Sequence, residues 1–313
     1  MNPSVTAIIL TRNEAQHLGR AIVSIASITR KIYVVDSGST DATVEIAQRA
    51  GALVLHHAFR NQADQFQWAL RNIPLEDEWV LRLDADEIIE EDLASRIRIQ
   101  LPQLPPNIVG ITFDRKHIFM GRWIKHGGRY PLRLLRLFRR GHGSIEQRWM
   151  DEHIVVSGGK TIHFAGGFVD NNLRDLSAFI AKHNDYATRE AVEQLIRRHR
   201  LLPTDDVMSV NPSSAQAARK RQIKDRIYSR LPIWMGPLGY FLFRYVGQLG
   251  FLDGREGLIY HVIQGFWYRF LVAAKIEELE RAISGHSREA QIQELQQRTR
   301  LILTGSKSPQ SAP

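Results

Sequence analysis

Short apolar runs alternate with amphipathic stretches over the first hundred residues. Four runs are rich in Val, Ile and Leu: Val5–Leu10, Lys31–Val35, Ala52–His56 and Trp79–Leu83. Such near-continuous apolar runs are typical of strands that are buried on both faces. Between them, apolar residues recur at helical spacing in two groups: Leu18, Ile22 and Ile25, then Val44, Ile46 and Ala47. This alternation predicts an α/β domain in which a mostly parallel sheet carries helices on both faces.

The remainder of the chain is less regular. Ile108–Phe113 again has the pattern of a strand, and residues 119–167 are rich in Gly, His, Arg and aromatic side chains, a composition typical of a binding surface. A helical pattern returns over residues 175–200, and Thr204–Ser214 has the composition of a loop. We expect a charged helix over Glu277–Leu303 and disorder in the final ten residues.

Composition narrows the class of protein. The chain has 313 residues, of which 43% are hydrophobic, enough for one or two packed cores. It has no cysteine, which excludes disulfides, zinc thiolate sites and thiol nucleophiles and agrees with a reducing cytosol. The first residues lack the basic start and long apolar run of a signal peptide, so we predict none. The formal charge of +9 predicts an anionic partner, which could be nucleic acid, anionic lipid or a phosphorylated substrate.

Polar and acidic groups follow three of the predicted strands. These groups lie in Thr11–Glu14, Asp36–Asp41 and Asp84–Glu87. In parallel sheets, ligands bind beyond the carboxyl ends of the strands, so these residues are expected at the ligand edge. None of the three loops is rich in glycine in the way that a phosphate cradle requires. A diphosphate bound there would need another group to neutralise its charge.

Asp84 and Asp86 form a D-x-D pattern at the end of the fourth strand. Their carboxylates can point toward one site, and hard oxygen ligands suit Mg²⁺ or Mn²⁺ bridging two phosphates. The alternative is that both acids cap a following helix, expected at Ile88–Ile99. We favour the metal site, because an acidic cluster at the ligand edge would otherwise repel itself.

Asp36 follows a buried run by one residue, where an acid needs a hydrogen-bonding partner. A nucleobase imide or a ribose hydroxyl would supply donors. The alternative is a turn in which the aspartate bonds to the backbone between Gly38 and Asp41. We predict that Asp36 binds the nucleobase and that Asp41 caps a helix that begins at Ala42.

Three motifs in this order, Val5–Glu14, Val34–Asp41 and Leu83–Glu87, resemble the family 2 glycosyltransferases with the GT-A fold. Further along, the chain looks similar to the lipopolysaccharide core β-glucosyltransferase branch. The segments that carry this second resemblance are Gly127–Pro131, Leu135–Arg140, Asp151–His153, His163 and Gly250–Gly254. Arg129 and Leu132 stand where that branch often carries Trp and Asp, and these departures bear on the acceptor rather than on the chemistry.

The resemblance implies a role for each matching residue. The nucleoside would be lined by Thr11, Asn13, Glu14, Asp36 and Ser37. Asp84 would contact the ribose or the metal, Asp86 would hold the metal, and His163 could complete the metal's ligands or touch the diphosphate. The implied reaction is an inverting transfer of a hexose from a nucleotide diphosphate sugar, with UDP as the default nucleotide and GDP as the alternative.

The acceptor half of this family carries a carboxylate that deprotonates the incoming hydroxyl. The matching position is Glu152, with Asp151 second; without the resemblance, Glu152 would be read as a surface or ion-paired glutamate. Arg129, Arg136 and Arg139 could bind an acceptor phosphate, or they could belong to a solvated strand edge. The acceptor would be a hydroxyl of a lipopolysaccharide core, a lipid-linked intermediate or an exopolysaccharide.

The carboxyl-terminal third is apolar and aromatic over Pro232–Gly250 and Leu258–Ala274, and a basic helix is expected before it at Arg219–Arg230. The apolar stretches are too interrupted to span a bilayer. Aromatic helices with nearby cations lie in the membrane interface and are attracted to anionic lipid. We therefore expect a peripheral protein on the cytoplasmic face of the cell membrane, although a buried helical subdomain or a dimer interface would give the same pattern.

These expectations define four segments. Residues 1–115 would bind the nucleotide sugar and residues 116–200 the acceptor, while residues 201–280 would form the basic and amphipathic helical region and residues 281–313 a charged helix and tail. One rival is a sugar nucleotidyltransferase, which should carry a glycine-rich basic loop after the first strand. A second rival, a basic nucleic-acid-binding protein, would leave the acidic edge of the sheet unexplained, so no nucleic acid partner is expected.

Overall fold

The computed structural model describes residues 3–146, 153–202, 232–301 and 303. Several predictions fall outside these residues: those for Asp151 and Glu152, the loop Thr204–Ser214, the basic helix Arg219–Arg230 and the final ten residues. Contacts divide the chain into two compact units. The first comprises Met1–Gln147, Asp151–Arg174 and Tyr245–Ile259, and the second comprises Arg148–Met150, Asp175–Arg244 and Tyr260–Pro313. The division into four functional segments stays a prediction.

The four predicted strands form one half of a nine-stranded sheet in the first unit. They are β1 (Val5–Thr11), β2 (Lys31–Asp36), β3 (Leu53–His56) and β4 (Trp79–Asp84). The other strands of this sheet are β5 (Glu87–Ile89), β6 (Ile108–Phe119), β7 (Arg122–Trp123), β8 (Arg133–Arg139) and β11 (Lys160–Asn171). A separate two-stranded sheet pairs β9 (Gly143–Ile145) with β10 (Ile154–Val156).

The strand order is β3-β2-β1-β4-β8-β6-β11-β5, and β7 pairs with β6 outside this path. Strands β3, β2, β1 and β4 are parallel neighbours, and β6 is parallel to β11. β8 runs antiparallel to both β4 and β6, and β5 runs antiparallel to β11. The prediction of a mixed α/β fold with a mostly parallel sheet is therefore confirmed.

Helices cover both faces of the parallel half, as predicted. They are α1 (Leu18–Ile25), α2 (Thr43–Arg49), α3 (Gln62–Asn72) and α4 (Glu91–Gln100). Successive side chains of a strand point to opposite faces, so Ile9 of β1 packs in the core formed with α1, α2 and α4, while Ile8 packs in the core formed with α3. All seven residues of β1 are buried. Helix α3 was not predicted, because its polar residues obscure the apolar face formed by Ala63, Phe66 and Ala69.

The segment after Asp86 differs from its prediction. A helix was expected from Ile88, but Glu87–Ile89 forms β5, which pairs Ile88 with Val169 of β11, and α4 begins only at Glu91. The start of α4 packs against an irregularity in β11 at Gly166, whose φ of +144° and close approach to the backbone of Leu93 leave no room for a side chain. Neither Asp84 nor Asp86 therefore caps a helix.

The carboxyl-terminal chain is helical, as predicted. Its elements are α5 (Leu176–His199), α6 (Met235–Leu242), a π-helical turn (Phe243–Gly247), a 3-10 turn (Gly250–Asp253), α7 (Gly254–His261), a second π-helical turn (Val262–Trp267), α8 (Tyr268–Ile283) and α9 (Arg288–Thr299). The single charged helix expected over Glu277–Leu303 is interrupted at Gly285, where φ is +77°. In the described part of the chain, no helix is both long and apolar enough to cross a membrane.

The second unit has its own apolar core. Val192 and Leu195 of α5 pack with Leu279 of α8 and Leu295 of α9. These residues recur at helical spacing within charged sequences, so the charged surfaces of α8 and α9 face away from this core.

Candidate active site

The carboxyl ends of three neighbouring strands meet at one rim of the sheet. Thr11 at the end of β1 is opposite Asp36 at the end of β2, and Leu10 is opposite Asp84 at the end of β4. On the outer side, Asp36 is opposite His56 at the end of β3. The parallel register therefore brings together the three polar loops that the sequence predicted at the ligand edge.

Asp36 organises the loop that follows it. Its Oδ2 accepts hydrogen bonds from the backbone N–H groups of Gly38 at 2.9 Å and Ser39 at 2.8 Å. Its Oδ1 accepts from the hydroxyls of Thr11, at 3.0 Å, and Ser39. The side chain is 1% exposed. Burial raises the pKa of Asp36, but the hydrogen bonds from Ser39, Thr11 and Gly38 outweigh it and lower the pKa below its usual value.

The turn interpretation of Asp36 is therefore realised in the structure, since both carboxylate oxygens bind its own loop. Any contact with a nucleobase would have to be made beside these four hydrogen bonds. His56, whose Nδ1 lies 3.8 Å from Oδ2 of Asp36, has a side chain that is 68% exposed at the same rim.

Hydrogen bonds join the loop after β1 to the loop after β2. The backbone N–H of Asn13 donates to Oγ of Ser39 at 2.8 Å, and Oδ1 of Asn13 accepts from the N–H of Thr40 at 2.7 Å. The N–H of Glu14 donates to Oγ1 of Thr43 at 2.7 Å. Asn13 itself has a φ of 55°, a left-handed conformation that asparagine tolerates better than most residues.

Asp41 belongs to the same network. It accepts from the N–H of Thr43 at 3.0 Å and from the N–H of Ala15 at 3.1 Å. Helix α2 begins at Thr43 rather than at Ala42, so Asp41 binds the first turn of α2 and ties it to the loop after β1.

Glu14 is held from two sides by residues that the sequence did not single out. Nδ1 of His17 lies 2.6 Å from its Oε2, and Nη2 of Arg174 lies 3.1 Å from its Oε1. His17 is fully buried, and its Nε2 accepts from the N–H of Leu173 at 2.9 Å, so its Nδ1 must carry the proton that is donated to Glu14. The loop after β1 is thereby bound to the segment Asn171–Arg174 at the end of β11.

The same segment holds Asp86. The side-chain amide of Asn172 donates to Oδ2 of Asp86 at 3.0 Å, and the N–H of Asn171 donates to its carbonyl oxygen at 3.0 Å. The sequence contains a hint of this role in its consecutive polar residues at the end of a strand, but only the pairing of β11 with β5 brings them to Asp86.

Asp84 is half-buried and pairs with a buried ionic group. Nη2 of Arg136 lies 2.9 Å from Oδ2 of Asp84 and also forms an ion pair with Glu87, which is 2% exposed. Burial raises the pKa of Glu87, and the charge of Arg136 opposes that shift. Burial by itself would lower the pKa of Arg136, but Glu87 and Asp84 outweigh it and raise that pKa above its usual value.

Two of the three arginines that could bind an acceptor phosphate, Arg136 and Arg139, contact other groups of the protein. Arg136 is 7% exposed and occupied by Asp84 and Glu87, so it is a structural cation of the acidic loop and not an exposed acceptor contact. Arg139 is opposite Trp79 at the start of β4, the end of the strand away from Asp84, where its guanidinium stacks on the Trp79 ring at 4.6 Å. Arg129 is half-buried and remains a candidate.

His163 is not brought to Asp86. It lies within β11 opposite Thr112 of β6, whereas Asp170 of β11, next to the Asp86 loop, lies opposite His117. Five residues of β6 separate these positions, which corresponds to about 17 Å along a strand. Nε2 of His163 lies 3.1 Å from Asp114. The structure therefore gives His163 no part in a site at Asp86.

The carboxylates at the rim would suit a hard divalent cation. In the described ranges, no group of three or more His, Asp or Glu side chains could hold a metal alone. Mg²⁺ is commonly held by one or two carboxylates and completes its ligands with water and substrate phosphates. Asp86 and Asp84 provide such carboxylates, and the charge of Asp84 is partly offset by the cation Arg136 beside it.

Ser37 is positioned by a residue that the sequence analysis missed. Gln65 of α3 is 2% exposed and donates to Oγ of Ser37 at 2.6 Å and to the carbonyl of Val35 at 2.8 Å. A glutamine between the apolar residues of a helix face is an unusual position, and this is the signal that could have identified it.

Two distant motifs meet beside the sheet. The N–H of His126 donates to Oδ2 of Asp253 at 2.8 Å, and the N–H of Gly127 donates to the carbonyl of Gln248 at 2.9 Å. A side chain at Gly128, where φ is +67°, would clash with Gln248. The motifs 127–131 and 250–254 are therefore one structural feature, whereas the predicted catalytic Glu152 and Asp151 lie outside the described residues.

Comparison with curated proteins matches this chain to named glycosyltransferases. Among relatives, "Lipopolysaccharide core biosynthesis glycosyltransferase LpsC" of Rhizobium meliloti is 28% identical over 293 residues, which cover 87% of this chain and 91% of that protein. "Uncharacterized glycosyltransferase RC0292" of Rickettsia conorii is 41% identical over 101 residues, which cover 31% of this chain but only 35% of that protein. Several of the curated relatives are thus matched over about a third of their length.

Among solved structures, a mannosyltransferase from Pyrobaculum calidifontis in complex with GDP-Man and Mn²⁺ is 18% identical, with 88% of each chain covered and a TM-score of 0.48. Glucosyl-3-phosphoglycerate synthase from Mycobacterium tuberculosis is 20% identical, with 36% of this chain and 44% of that chain covered and a TM-score of 0.31. The sequence model of glycosyl transferase family 2 matches residues 6–162, half of the chain. The chain therefore belongs to glycosyl transferase family 2 and is a glycosyltransferase.

Proposed function

We propose that this enzyme transfers a hexose from a UDP-sugar to a hydroxyl of a lipopolysaccharide core glycan, with inversion at the anomeric carbon. The observation that carries the donor half of the proposal is the rim of the sheet. There, Thr11 and Asp36 at the ends of β1 and β2 lie beside Asp84 at the end of β4, with Asp86 two residues further on. This arrangement fits a nucleoside over the first two strands and a diphosphate near the two acids.

Metal use is part of the proposal. A divalent cation held by Asp86, with Asp84 beside it, would stabilise the negative charge that develops on the leaving diphosphate. Asn172 keeps the carboxylate of Asp86 in place, and Arg136 prevents Asp84 and the buried Glu87 from repelling each other. Both Mg²⁺ and Mn²⁺ suit these carboxylates.

The chemistry on the acceptor side is assigned from the family resemblance. The acceptor oxygen attacks the anomeric carbon, the bond to the diphosphate oxygen breaks, and that oxygen keeps the electron pair. Glu152 takes the proton of the attacking hydroxyl, a contribution of about 10²–10⁴-fold in rate. Asp151 is the second candidate for this base.

The acceptor is proposed from a relative. LpsC is named for lipopolysaccharide core biosynthesis, and its similarity extends over 91% of its length rather than over the donor half alone. Lipid-linked intermediates and exopolysaccharides remain alternative acceptors, and GDP remains the alternative nucleotide.

The donor half is tested by thermal unfolding of the full-length enzyme with a panel of UDP- and GDP-sugars, in the presence of Mn²⁺ and in excess chelator. We expect UDP-sugars to raise the melting temperature only with the metal, and Asp86→Asn to abolish that shift. Glu76→Ala provides a matched control, because Glu76 is an exposed acid beside the opposite end of β4. An equal shift in chelator, or an unchanged shift in Asp86→Asn, would refute the metal-assisted donor site.

We also propose that the enzyme binds the cytoplasmic face of the cell membrane peripherally. In the first unit, Val246, Phe251 and Leu252 are between 45% and 56% exposed, and in the second unit Trp234 and Phe243 are 48% and 58% exposed. These exposed apolar residues are close together in sequence, and such side chains insert favourably into a membrane interface.

Membrane binding is tested by flotation with vesicles of phosphatidylcholine, with and without phosphatidylglycerol. The wild type should float with the anionic vesicles, and the double variant Val246→Ser/Leu252→Ser should float less. Val23→Ser serves as the control, because Val23 is 75% exposed on α1, far away in sequence. If the double variant floats as the wild type does, or if the wild type does not float at low salt, this part of the proposal is wrong.

A further inference from the structure

The segment from β6 to β8 is unusually basic. Residues 115–133 contain six Lys and Arg residues and no Asp or Glu: Arg115, Lys116, Arg122, Lys125, Arg129 and Arg133. Four of them face a carboxylate from another part of the first unit, in the pairs Arg115–Asp170, Lys116–Glu90, Arg122–Glu256 and Arg133–Asp114. Lys125 is exposed and has no ion pair within the described chain.

Trp123 lies at the centre of this basic segment. The ammonium nitrogens of Lys116 and Lys125 lie 5.5 Å and 5.4 Å from the centre of its ring, and the ring of Tyr130 meets it edge-on at 4.9 Å. The indole is half-buried, and its N–H is buried without a hydrogen-bond partner among the described residues. The surface that Trp123 exposes is therefore aromatic carbon.

The register of the strands brings Trp123 to the candidate active site. Trp123 of β7 is opposite Ile118 of β6, which is opposite Asn171 of β11. Asn171 donates its N–H to the carbonyl of Asp86. Two strand spacings of about 4.8 Å thus separate the backbones of Trp123 and Asn171, a distance of about 10 Å. A saccharide of one or two rings on Trp123 would reach a donor sugar whose diphosphate lies at Asp86.

We propose that Trp123 and Lys125, with Tyr130 beside them, form an acceptor subsite that recognises a sugar carrying an anionic substituent, a phosphate or a carboxylate. This inference rests on the proposed function, because it places an acceptor next to the donor site. In this proposal Lys125 provides the positive charge for the acceptor. Arg136 and Arg139 do not, because they contact other groups of the protein.

Each part of the subsite matches one part of such a ligand. An aromatic ring offers a flat apolar surface to the C–H face of a pyranose, while a lysine provides a compact positive charge for an anion. Two ammonium groups within 6 Å of one ring repel each other, and only Lys116 has its charge offset by a carboxylate, that of Glu90. An anionic group on the acceptor would offset the charge of Lys125.

The inference is tested by titrating D-glucose, glucose 6-phosphate and glucuronate into the full-length enzyme loaded with UDP and Mg²⁺, and by following saturation transfer to the sugar protons. At least one anionic sugar should bind about tenfold or more tightly than glucose, a difference of about 1.4 kcal/mol. Lys125→Ala should remove this preference, and Trp123→Ala should remove saccharide binding. The comparison of glucose 6-phosphate with glucuronate identifies the preferred anion.

Lys182→Ala provides the matched control, because Lys182 lies over the ring of Tyr186 at 5.7 Å on α5 and is remote in sequence from the subsite. It should bind all three sugars as the wild type does. Lys125→Glu is a second variant at an exposed position, so that lost binding can be separated from misfolding of Trp123→Ala; it should favour glucose over the anionic sugars.

Equal affinity for the three sugars, or no binding of either anionic sugar, would overturn the subsite. Competition by inorganic phosphate that is unaffected by Trp123→Ala would overturn it too, because it would indicate a bare anion site. The proposed function is refuted by a different result, the absence of a metal-dependent rise in melting temperature with UDP-sugars. If that rise is present but the enzyme binds the three sugars equally well, only the subsite is rejected.

Discussion

The side-chain amide of Asn172 donates a hydrogen bond of 3.0 Å to Oδ2 of Asp86. This contact joins the end of β11 to the acidic loop after β4, although 86 residues separate the two positions. One oxygen of the proposed metal ligand is thereby oriented by a neutral donor that does not compete for its charge.

Asn172→Ala should weaken metal-dependent donor binding while leaving the fold intact. Loss of a group that orients a metal-ligating carboxylate typically costs about 10–100-fold in metal affinity or activity. The effect is measured as the Mn²⁺ concentration that gives half of the thermal shift with a UDP-sugar. Asn184→Ala, an exposed asparagine on α5, should show the wild-type value; an unchanged value in Asn172→Ala would mean that Asp86 needs no such support.

Glu152→Gln should bind the donor as the wild type does and yet lose transfer. The amide keeps the size of the side chain but cannot accept the acceptor's proton, so kcat should fall by about 10²–10⁴-fold. Transfer to a lipopolysaccharide core oligosaccharide and the UDP-sugar thermal shift are measured on the same preparation. A fully active Glu152→Gln would transfer the role of the base to Asp151, which is tested by the equivalent Asp151→Asn.

Arg136 should be essential for stability rather than for acceptor binding. Arg136→Met leaves Glu87 buried without its cation, and breaking one side of a buried ion pair costs about 3–5 kcal/mol of the free energy of unfolding. The double variant Arg136→Met/Glu87→Gln should recover part of that loss, because no charge at Glu87 then remains unpaired. Urea unfolding of both single variants and of the double variant measures this coupling. Purely additive losses would contradict the proposed pairing.

The ionised carboxylate of Asp36 should stabilise the folded protein at neutral pH and lose this effect at acidic pH. Its pKa in the folded protein lies below the ordinary value of 3.8. Its contribution to the free energy of unfolding is therefore fully present above that value and is lost as the pH falls through the lower folded pKa. Asp36→Asn should be destabilised at neutral pH, and its difference from wild type should shrink as the pH falls below about 4.

Urea unfolding between neutral and acidic pH measures this dependence. Asp185→Asn, which replaces an exposed aspartate of α5, should differ little from wild type at either pH. A difference for Asp36→Asn that does not change with pH would show that the lost hydrogen-bond geometry, rather than the charge, determines its effect.

The pattern of apolar residues in the amino-terminal sequence was sufficient to predict the parallel half of the sheet. Strands β1, β2 and β4 follow the apolar runs closely, because a strand buried on both faces must be apolar at nearly every position. The expectation of burial fails for β3, which lies at the edge of the sheet and whose residues are half-buried or exposed. The resemblance to family 2 glycosyltransferases is confirmed by the family match over residues 6–162. The placing of Thr11, Asp36 and Asp84 at one rim also followed from sequence, since parallel strands bring their carboxyl ends to the same edge.

Side-chain partners beyond the parallel half depended on long-range pairing that no local pattern encodes. The sequence left Arg136 as either an acceptor contact or part of a solvated strand edge, but the antiparallel pairing of β8 with β4 brings it to Asp84 and Glu87. The pairing of β11 with β5 likewise decides that Asn172 reaches Asp86.

By itself, the sequence determined the order of apolar strands, the polar loops that follow them and the family. The tertiary structure alone decided which cation lies beside which acid, because a charged side chain carries no local signal of its partner. Strands β8 and β11 are distant from β4 along the chain, and their register in the sheet is set by the packing of many apolar side chains at once.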